Sequence, residues 1–455
     1  MSLALQKDDL SNIRETIVIG LGETGLSVAQ HLRKQNIAFT MLDTRSNPPQ
    51  LSLFQKNFPD IKVCLEKHAL EQLRKTARTT QLIVSPGVDI HQEAIRAAIV
   101  ENNSECIGDI ELFARSTSKP IAAVTGSNGK STVSSLLAEM ACSAGVRAYA
   151  GGNLGPPALD LLEHDAAELF VLEISSFQLE STKSLAPQVS VVLNISPDHL
   201  DRHGDVENYA QIKEHIYSRA KVSVVNRDDI YVSKMKTSGK VVSFGLDRPA
   251  QGDFGVIENA EDSFLALGEN ALLSVDELAL PGESGILNSL AALALGNALN
   301  LPMQDMLSKL RKFRGLPHRL ALVSKQNGVS WFNDSKGTNI GATISSLRSL
   351  GANIILIAGG VFKGGDLTLL KEVVDEHAKR VILLGQDASL LQQQLEGDVP
   401  VELACSMQDA VEIAERIATT NDQVLLSPAC ASFDMYENYV ERGYDFESCV
   451  KGLSS

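Results

Sequence analysis

The chain has 455 residues, enough for about three domains at roughly 150 residues each. It is 44% hydrophobic and 21% charged, the balance of a folded globular chain and not of a disordered, fibrous or disulfide-scaffold one. With 41 basic against 56 acidic residues its formal charge is −15, so an anionic ligand must be gathered by a local cluster of donors, and nucleic-acid binding is not expected.

The sequence contains no run approaching the ~20 apolar residues of a membrane-spanning helix. Residues 1–16 lack a basic stretch followed by an apolar one. A cytoplasmic protein without membrane insertion is expected. The six cysteines (Cys64, Cys106, Cys142, Cys405, Cys430, Cys449) lie far apart, with no CxxC pair. They read as reduced thiols, most of them buried.

Three blocks of alternating strands and helices follow one another. In the first, a strand at 16–19 feeds a glycine turn and a helix over 22–36; a second strand ends at Asp43, and a third, 81–85, runs into Ser85-Pro86-Gly87 before a helix at 91–103. The second block begins after the polar stretch 115–120. It carries strands at 121–126, 168–175, 189–196, 221–226 and 240–245, with helices at 131–145 and 287–299. The third opens at Gly315-Leu-Pro-His-Arg319 and holds strands at 329–334, 353–360, 380–385 and 422–428. The pattern predicts three α/β domains with parallel sheets, over residues 1–112, 113–315 and 316–455.

Gly20-Leu-Gly22-Glu-Thr-Gly25, with Asp43 eighteen residues beyond, is a dinucleotide fingerprint. A glycine turn at a helix amino terminus binds any diphosphate, so a nicotinamide cofactor, another nucleotide diphosphate and a purely structural turn all stay open here. Thr125-Gly126-Ser127-Asn128-Gly129-Lys130-Ser131-Thr132, between a strand and a helix, is a short phosphate loop. Its backbone can wrap phosphate oxygens, Lys130 can reach the β/γ-phosphates, and the Ser131 hydroxyl can ligate Mg²⁺. Glu173 ends an apolar strand, where a carboxylate needs a cation: either Mg²⁺ or a structural Arg or Lys. Residues 194–204 concentrate Asp198, His199, Arg202 and His203 at another strand's end. Ten residues after His203, Lys213 reads from spacing alone as a surface lysine.

TGSNGKST, LEISSFQLE, NISPDHLDRHG with Lys213, LPHR (316–319) and NDSKGTN (333–339) occur in the order seen in Mur ligases, which the whole chain resembles. These are ATP-dependent amide-forming enzymes of peptidoglycan precursor synthesis. The resemblance implies a Rossmann-like UDP-binding domain, a central phosphate-loop ATPase-like domain and a Rossmann-like amino-acid-binding domain. GLGETGLS, the 85–87 turn, Gly152-Asn153-Leu154-Gly155 and the tail 427–443 resemble the branch that joins D-glutamate to UDP-N-acetylmuramoyl-L-alanine (UDP-MurNAc-L-Ala).

That resemblance implies UDP-substrate contacts at Gly20, Gly22, Gly25, Asp43, Thr44, Ser85, Gly87, Asn153 and His199. ATP contacts are implied at Gly126 to Thr132, Asn288, Arg319 and Asp334, with catalytic roles for Lys130, Glu173, His199, Lys213 and Lys336. Thr338, Lys363, Ser432, Phe433 and Tyr439 would surround D-glutamate. Two Mg²⁺ ions are implied, one at Ser131 and Glu173, the other at His199 and a carbamylated Lys213. In one place the chain departs from the branch: the usual G-x-H-N element reads Gly282-Glu283-Ser284-Gly285, with Asn288 retained. Another amino-acid-adding ligase of the family and a nicotinamide-dependent oxidoreductase are the alternatives.

Overall fold

The computed structural model describes residues 15–66, 69, 73, 80–101, 103–153, 155–259, 262–280 and 282–453. The leader reading of residues 1–14 and the Leu154 position of the 152–155 motif lie outside them.

Among the described residues there are three sheets. The first is all parallel: β1 (Glu15–Ile19), β2 (Thr40–Asp43), β3 (Val63–Leu65), β4 (Thr80–Val84) and β5 (Glu105–Ile107), in the order β3-β2-β1-β4-β5. β1 and β4 pair in register at the point where strand order reverses, so the loops after both, 20–22 and 85–87, open into one crevice. Gly25, in helix Glu23–Lys34, lies so close to the Gly20 carbonyl that a Cβ would collide with it.

The second sheet joins β6 (Ile121–Thr125), β7 (Ala148–Gly152), β8 (Leu169–Glu173), β9 (Val189–Val192), β10 (Val222–Asn226) and β11 (Lys240–Phe244) to a meander of β12 (Phe254–Asn259), β13 (Asp262–Leu267) and β14 (Asn270–Ser274). The order is β14-β13-β12-β11-β10-β9-β6-β8-β7, parallel except for the meander. β6, β8 and β9 are buried on both faces, which is why they read as continuous apolar runs. Helices Lys130–Ser143 and Gly282–Ala298 pack together in the core over this sheet.

The third sheet contains β15 (Ala321–Gln326), β16 (Val329–Asn333), β17 (Ile354–Gly359), β18 (Ala378–Leu384), β19 (Val401–Leu403) and β20 (Gln423–Leu426), ordered β15-β16-β20-β17-β18-β19. Only β15 runs antiparallel to its neighbour. The loops after β16, β17 and β20 therefore meet at one edge.

The first two sheets share one apolar cluster, running from Val18 and Phe54 through Phe113 and Phe170 to Tyr217. The helix Asp109–Ser116 bridges them, with Phe113 edge-on to Phe170 at 5.2 Å. The 112/113 boundary falls inside this helix. No described helix is long and apolar enough to cross a membrane. The expectation of mostly buried cysteines is corrected: only Cys430 and Cys449 are buried, Cys64 and Cys106 are intermediate, and Cys142 and Cys405 are exposed.

Candidate active site

The phosphate loop connects β6 to helix Lys130–Ser143, whose first-turn N–H groups have no earlier carbonyl to meet. Gly129 takes φ +83°, and a Cβ there would run into the Asn288 side chain, so this position requires glycine. The Asn128 N–H donates to Asn194 Oδ1 at 2.8 Å, which ties the loop to the end of β9. Lys130 is half-buried, and its Nζ donates to the carbonyls of Gly126 (2.8 Å) and Ser127 (2.9 Å). Burial lowers its pKa, and the Glu173 and Asp198 carboxylates oppose that shift.

Glu173 closes β8 at 3% exposure. Its Oε1 accepts from Asn153 Nδ2 at 2.7 Å, while Oε2 is buried with no hydrogen-bond partner. A buried, half-satisfied carboxylate beside a phosphate loop fits a bound cation. Among the described residues, however, no group of three His, Cys, Asp or Glu side chains converges. A metal here would complete its shell with phosphate oxygens and water, as Mg²⁺ does.

The third sheet's loops close on this edge from the other side. Arg319 Nη2 donates to Ser131 Oγ at 2.7 Å, and Asn339 Nδ2 to Asp198 Oδ2 at 3.0 Å. Asp334 is buried: Ser346 and Ser427 both donate to its Oδ2 at 2.7 Å, and burial raises its pKa to about 6. Lys336 Nζ sits 3.9 Å from the centre of the Tyr439 ring. Burial, then the Arg319 guanidinium, lowers its pKa to about 7. Arg442, buried beneath, donates to Ser335 O at 2.8 Å and holds the loop that carries Lys336.

One cleft thus gathers Lys130, Glu173, His199, Arg319 and Lys336 with all five expected amino-acid ligands, Thr338, Lys363, Ser432, Phe433 and Tyr439. A neighbouring hollow adds Thr132, Asn288, Asp334, Ser284 and Gly285. Gly285 packs against the Leu280 carbonyl, which a Cβ would meet at 2.6 Å, so the substitution at this position is built into the local backbone. Lys213 is not on the surface, as its spacing had predicted. It is 1% exposed, its Nζ donates to Thr125 Oγ1 at 3.2 Å and lies 4.7 Å from the centre of the Tyr209 ring, and burial holds its pKa well below the usual value.

The amino-terminal crevice collects Gly20, Gly22, Asp43, Thr44, Ser85, Gly87 and Asn153. Ser85 Oγ donates to the Gly20 carbonyl at 2.9 Å, and Asn153 also lines the central cleft. His199 lines the central cleft and not this one. Asp43 is not the open acceptor that its place in the fingerprint implies. It accepts from the Leu21 N–H (2.7 Å) and from the Arg45 side chain on both oxygens (2.9 and 2.8 Å), which lowers its pKa against the opposing effect of burial. The sequence reading missed Arg45, Gln178, Asn339 and Asn438, which line the two clefts. Asn339 closes the NDSKGTN motif, so its signal was present.

Comparison with known proteins decides the family. The Mur ligase MurD-like N-terminal domain matches residues 14–108, the Mur ligase middle domain 124–296, and the Mur ligase glutamate ligase domain 318–430. The chain belongs to the Mur ligase family. The UDP-N-acetylmuramoylalanine–D-glutamate ligase of Legionella pneumophila (strain Paris) is 44% identical over 445 residues, 96% of this chain and 99% of that one. The protein of the same name from Nitrosococcus oceani is 44% identical over 443 residues, 97% of each chain. Among solved Mur ligase structures, the fold resembles Thermotoga maritima UDP-N-acetylmuramate-alanine ligase, MurC (TM-score 0.62, 16% identity, 96% and 99% coverage). It also resembles T. maritima MurF ligase in complex with ADP (TM-score 0.60, 17% identity, 97% of each chain).

Proposed function

We propose that this Mur ligase joins D-glutamate to UDP-MurNAc-L-Ala at the expense of ATP, a cytoplasmic step of peptidoglycan precursor synthesis. The observation that carries the reading is the central cleft. Phosphate-loop groups, a half-satisfied buried carboxylate and five amino-acid-site side chains share one opening, and Asn153 belongs also to the amino-terminal crevice. We assign 1–112 to the UDP-substrate, 113–315 to ATP and 316–455 to the amino acid.

A carboxylate is a poor acyl donor at neutral pH, so the substrate carboxylate first attacks the γ-phosphate of ATP, giving an acyl phosphate and ADP. Phosphate loop N–H groups, Lys130, Arg319 and Lys336 stabilise the charge that crowds together in this step. Glu173 Oε2 and Ser131 Oγ would hold one Mg²⁺, and His199 with a carbamylated Lys213 a second. The ions, when bound, supply further charge neutralisation. The D-glutamate amine, placed by Thr338, Lys363, Ser432, Phe433 and Tyr439, then displaces phosphate to form the amide. Holding the reactants from three domains in one cleft removes much of the entropic barrier. The fingerprint's nicotinamide alternative finds no support in the comparisons, since residues 14–108 match the Mur ligase MurD-like N-terminal domain.

The test is phosphate release from ATP with UDP-MurNAc-L-Ala against a panel of D- and L-amino acids. Release that depends on D-glutamate supports the reading. Release with a different amino acid would make the chain another member of the family, and tight NADH binding without competition from the UDP-substrate would overturn the reading of the first domain.

A further inference from the structure

The mechanism above leaves unused the arginine and second histidine of the 198–204 cluster and the short helix Ser176–Glu180, which begins three residues after Glu173. Together they form one buried node. Ser176 Oγ is hydrogen-bonded to His203 Nε2 at 2.9 Å. Gln178, on the same helix, lines the amino-terminal crevice. Glu180 Oε2 accepts from Arg202 Nη2 at 2.6 Å, and its Oε1 lies 3.3 Å from His203 Nδ1. These two partners hold the Glu180 pKa low in spite of its burial.

Arg202 reaches further in two directions. Its guanidinium stacks over Phe177 at 5.3 Å, and the Phe177 ring packs edge-on against His199 at 4.8 Å. In the other direction, Arg202 Nε lies 3.3 Å from Asp89 Oδ1 on the first domain. Asp89 belongs to the loop whose Ser85, Gly87, Val88 and Gln92 line the UDP-substrate crevice. His199 itself sits at φ +55°, a left-handed conformation that costs a non-glycine residue energy and so needs external restraint.

We propose that Arg202 is a positioning residue that couples occupancy of the UDP-substrate crevice to the placement of His199 beside the phosphate loop. The Glu180 half of its contacts is short and buried within the central domain. The Asp89 half is longer, and its carboxylate is 41% exposed, so a small displacement of the 85–92 loop changes that half first. A shift of Arg202 moves Phe177, and with it the ring against which His199 rests. The inference rests on the assignment of the first crevice to the UDP-substrate.

The experiment uses the full chain and measures binding of a non-hydrolysable ATP analogue with and without saturating UDP-MurNAc-L-Ala. The wild type should bind the analogue about 5- to 20-fold more tightly with the UDP-substrate present, the usual range of coupling between sites. Asp89→Asn and Arg202→Gln should bring that ratio to within about twofold of unity, and Arg202→Lys, which keeps the charge but not the fork, should fall between. In turnover, Arg202→Gln should lower kcat more than it raises KM for D-glutamate. If Arg202→Gln does not fold, the exposed Asp89→Asn decides the matter alone. Independent binding of the two ligands in the wild type, or an undiminished ratio in Asp89→Asn, overturns the proposal. Failure of UDP-MurNAc-L-Ala to bind the wild type at all overturns it too, and is distinguishable as a failure of the functional reading.

Discussion

Lys336 offers a test of the site's electrostatics through its dependence on pH. In the folded chain its pKa is lowered to about 7 by burial and by the cations Arg319, Lys130 and Lys363, against the pull of Glu173. In the unfolded chain it returns to about 10.4. Between those values the unfolded state holds a proton that the folded state lacks, so stability rises with pH across the window and is lost as pH falls toward 7. At ~1.4 kcal/mol per pH unit over roughly 3.5 units, the lysine costs up to about 5 kcal/mol below pH 7 and almost nothing near pH 10.5. Lys336→Met removes that cost and keeps the aliphatic stem against Tyr439. Urea unfolding of wild type and variant at pH 6, 7, 8 and 9 should show the variant more stable at pH 6, with an advantage that shrinks as pH rises. The variant should also lose ligase activity by at least ~100-fold, since a donor to developing charge is gone. A stability difference that does not change with pH, or one that grows with pH, would refute the reasoning.

Central strands, glycine turns and the phosphate loop were legible because each follows from local chemistry: continuous apolar runs for strands buried on both faces, and glycines where backbone crowds side chain. β3, β5 and β19 were not, for they are three-residue edge strands whose pairing comes from their neighbours. The β12–β14 meander was missed as well, because its strands are buried at one end only and carry neither a continuous apolar run nor a clean alternation. Site residues on motif loops could be named from spacing and resemblance. What the sequence hid was partnership: that Asp43 is held by Arg45, that Arg319 reaches across to Ser131, and that Lys213 turns inward to Thr125. Each depends on tertiary placement, which no local pattern encodes.

Four further outcomes are expected. Asp43→Ala leaves the Leu21 N–H and Arg45 without their acceptor, so it should raise KM for the UDP-substrate ~10-fold in steady-state assays, with KM for ATP unchanged. Gly285→Asn should fail to improve ATP affinity and should lower Tm, as its Cβ meets the Leu280 carbonyl; calorimetry measures both. Glu173→Gln should keep its contact with Asn153 but lose its charge, so the Mg²⁺ concentration for half-maximal ADP release should rise at least ~10-fold. The last concerns Lys213, whose buried amine has a pKa well below normal and so favours the neutral form that carbamylation requires. Lys213→Ala should lose most activity, and a small carboxylate in the buffer should restore part of it by standing in for the carbamate oxygen. Lys213→Arg should not be rescued, because a guanidinium fills the space and repels a metal. Retention of near wild-type turnover by Lys213→Arg would reduce Lys213 to a buried structural amine and overturn the proposal of a second metal site.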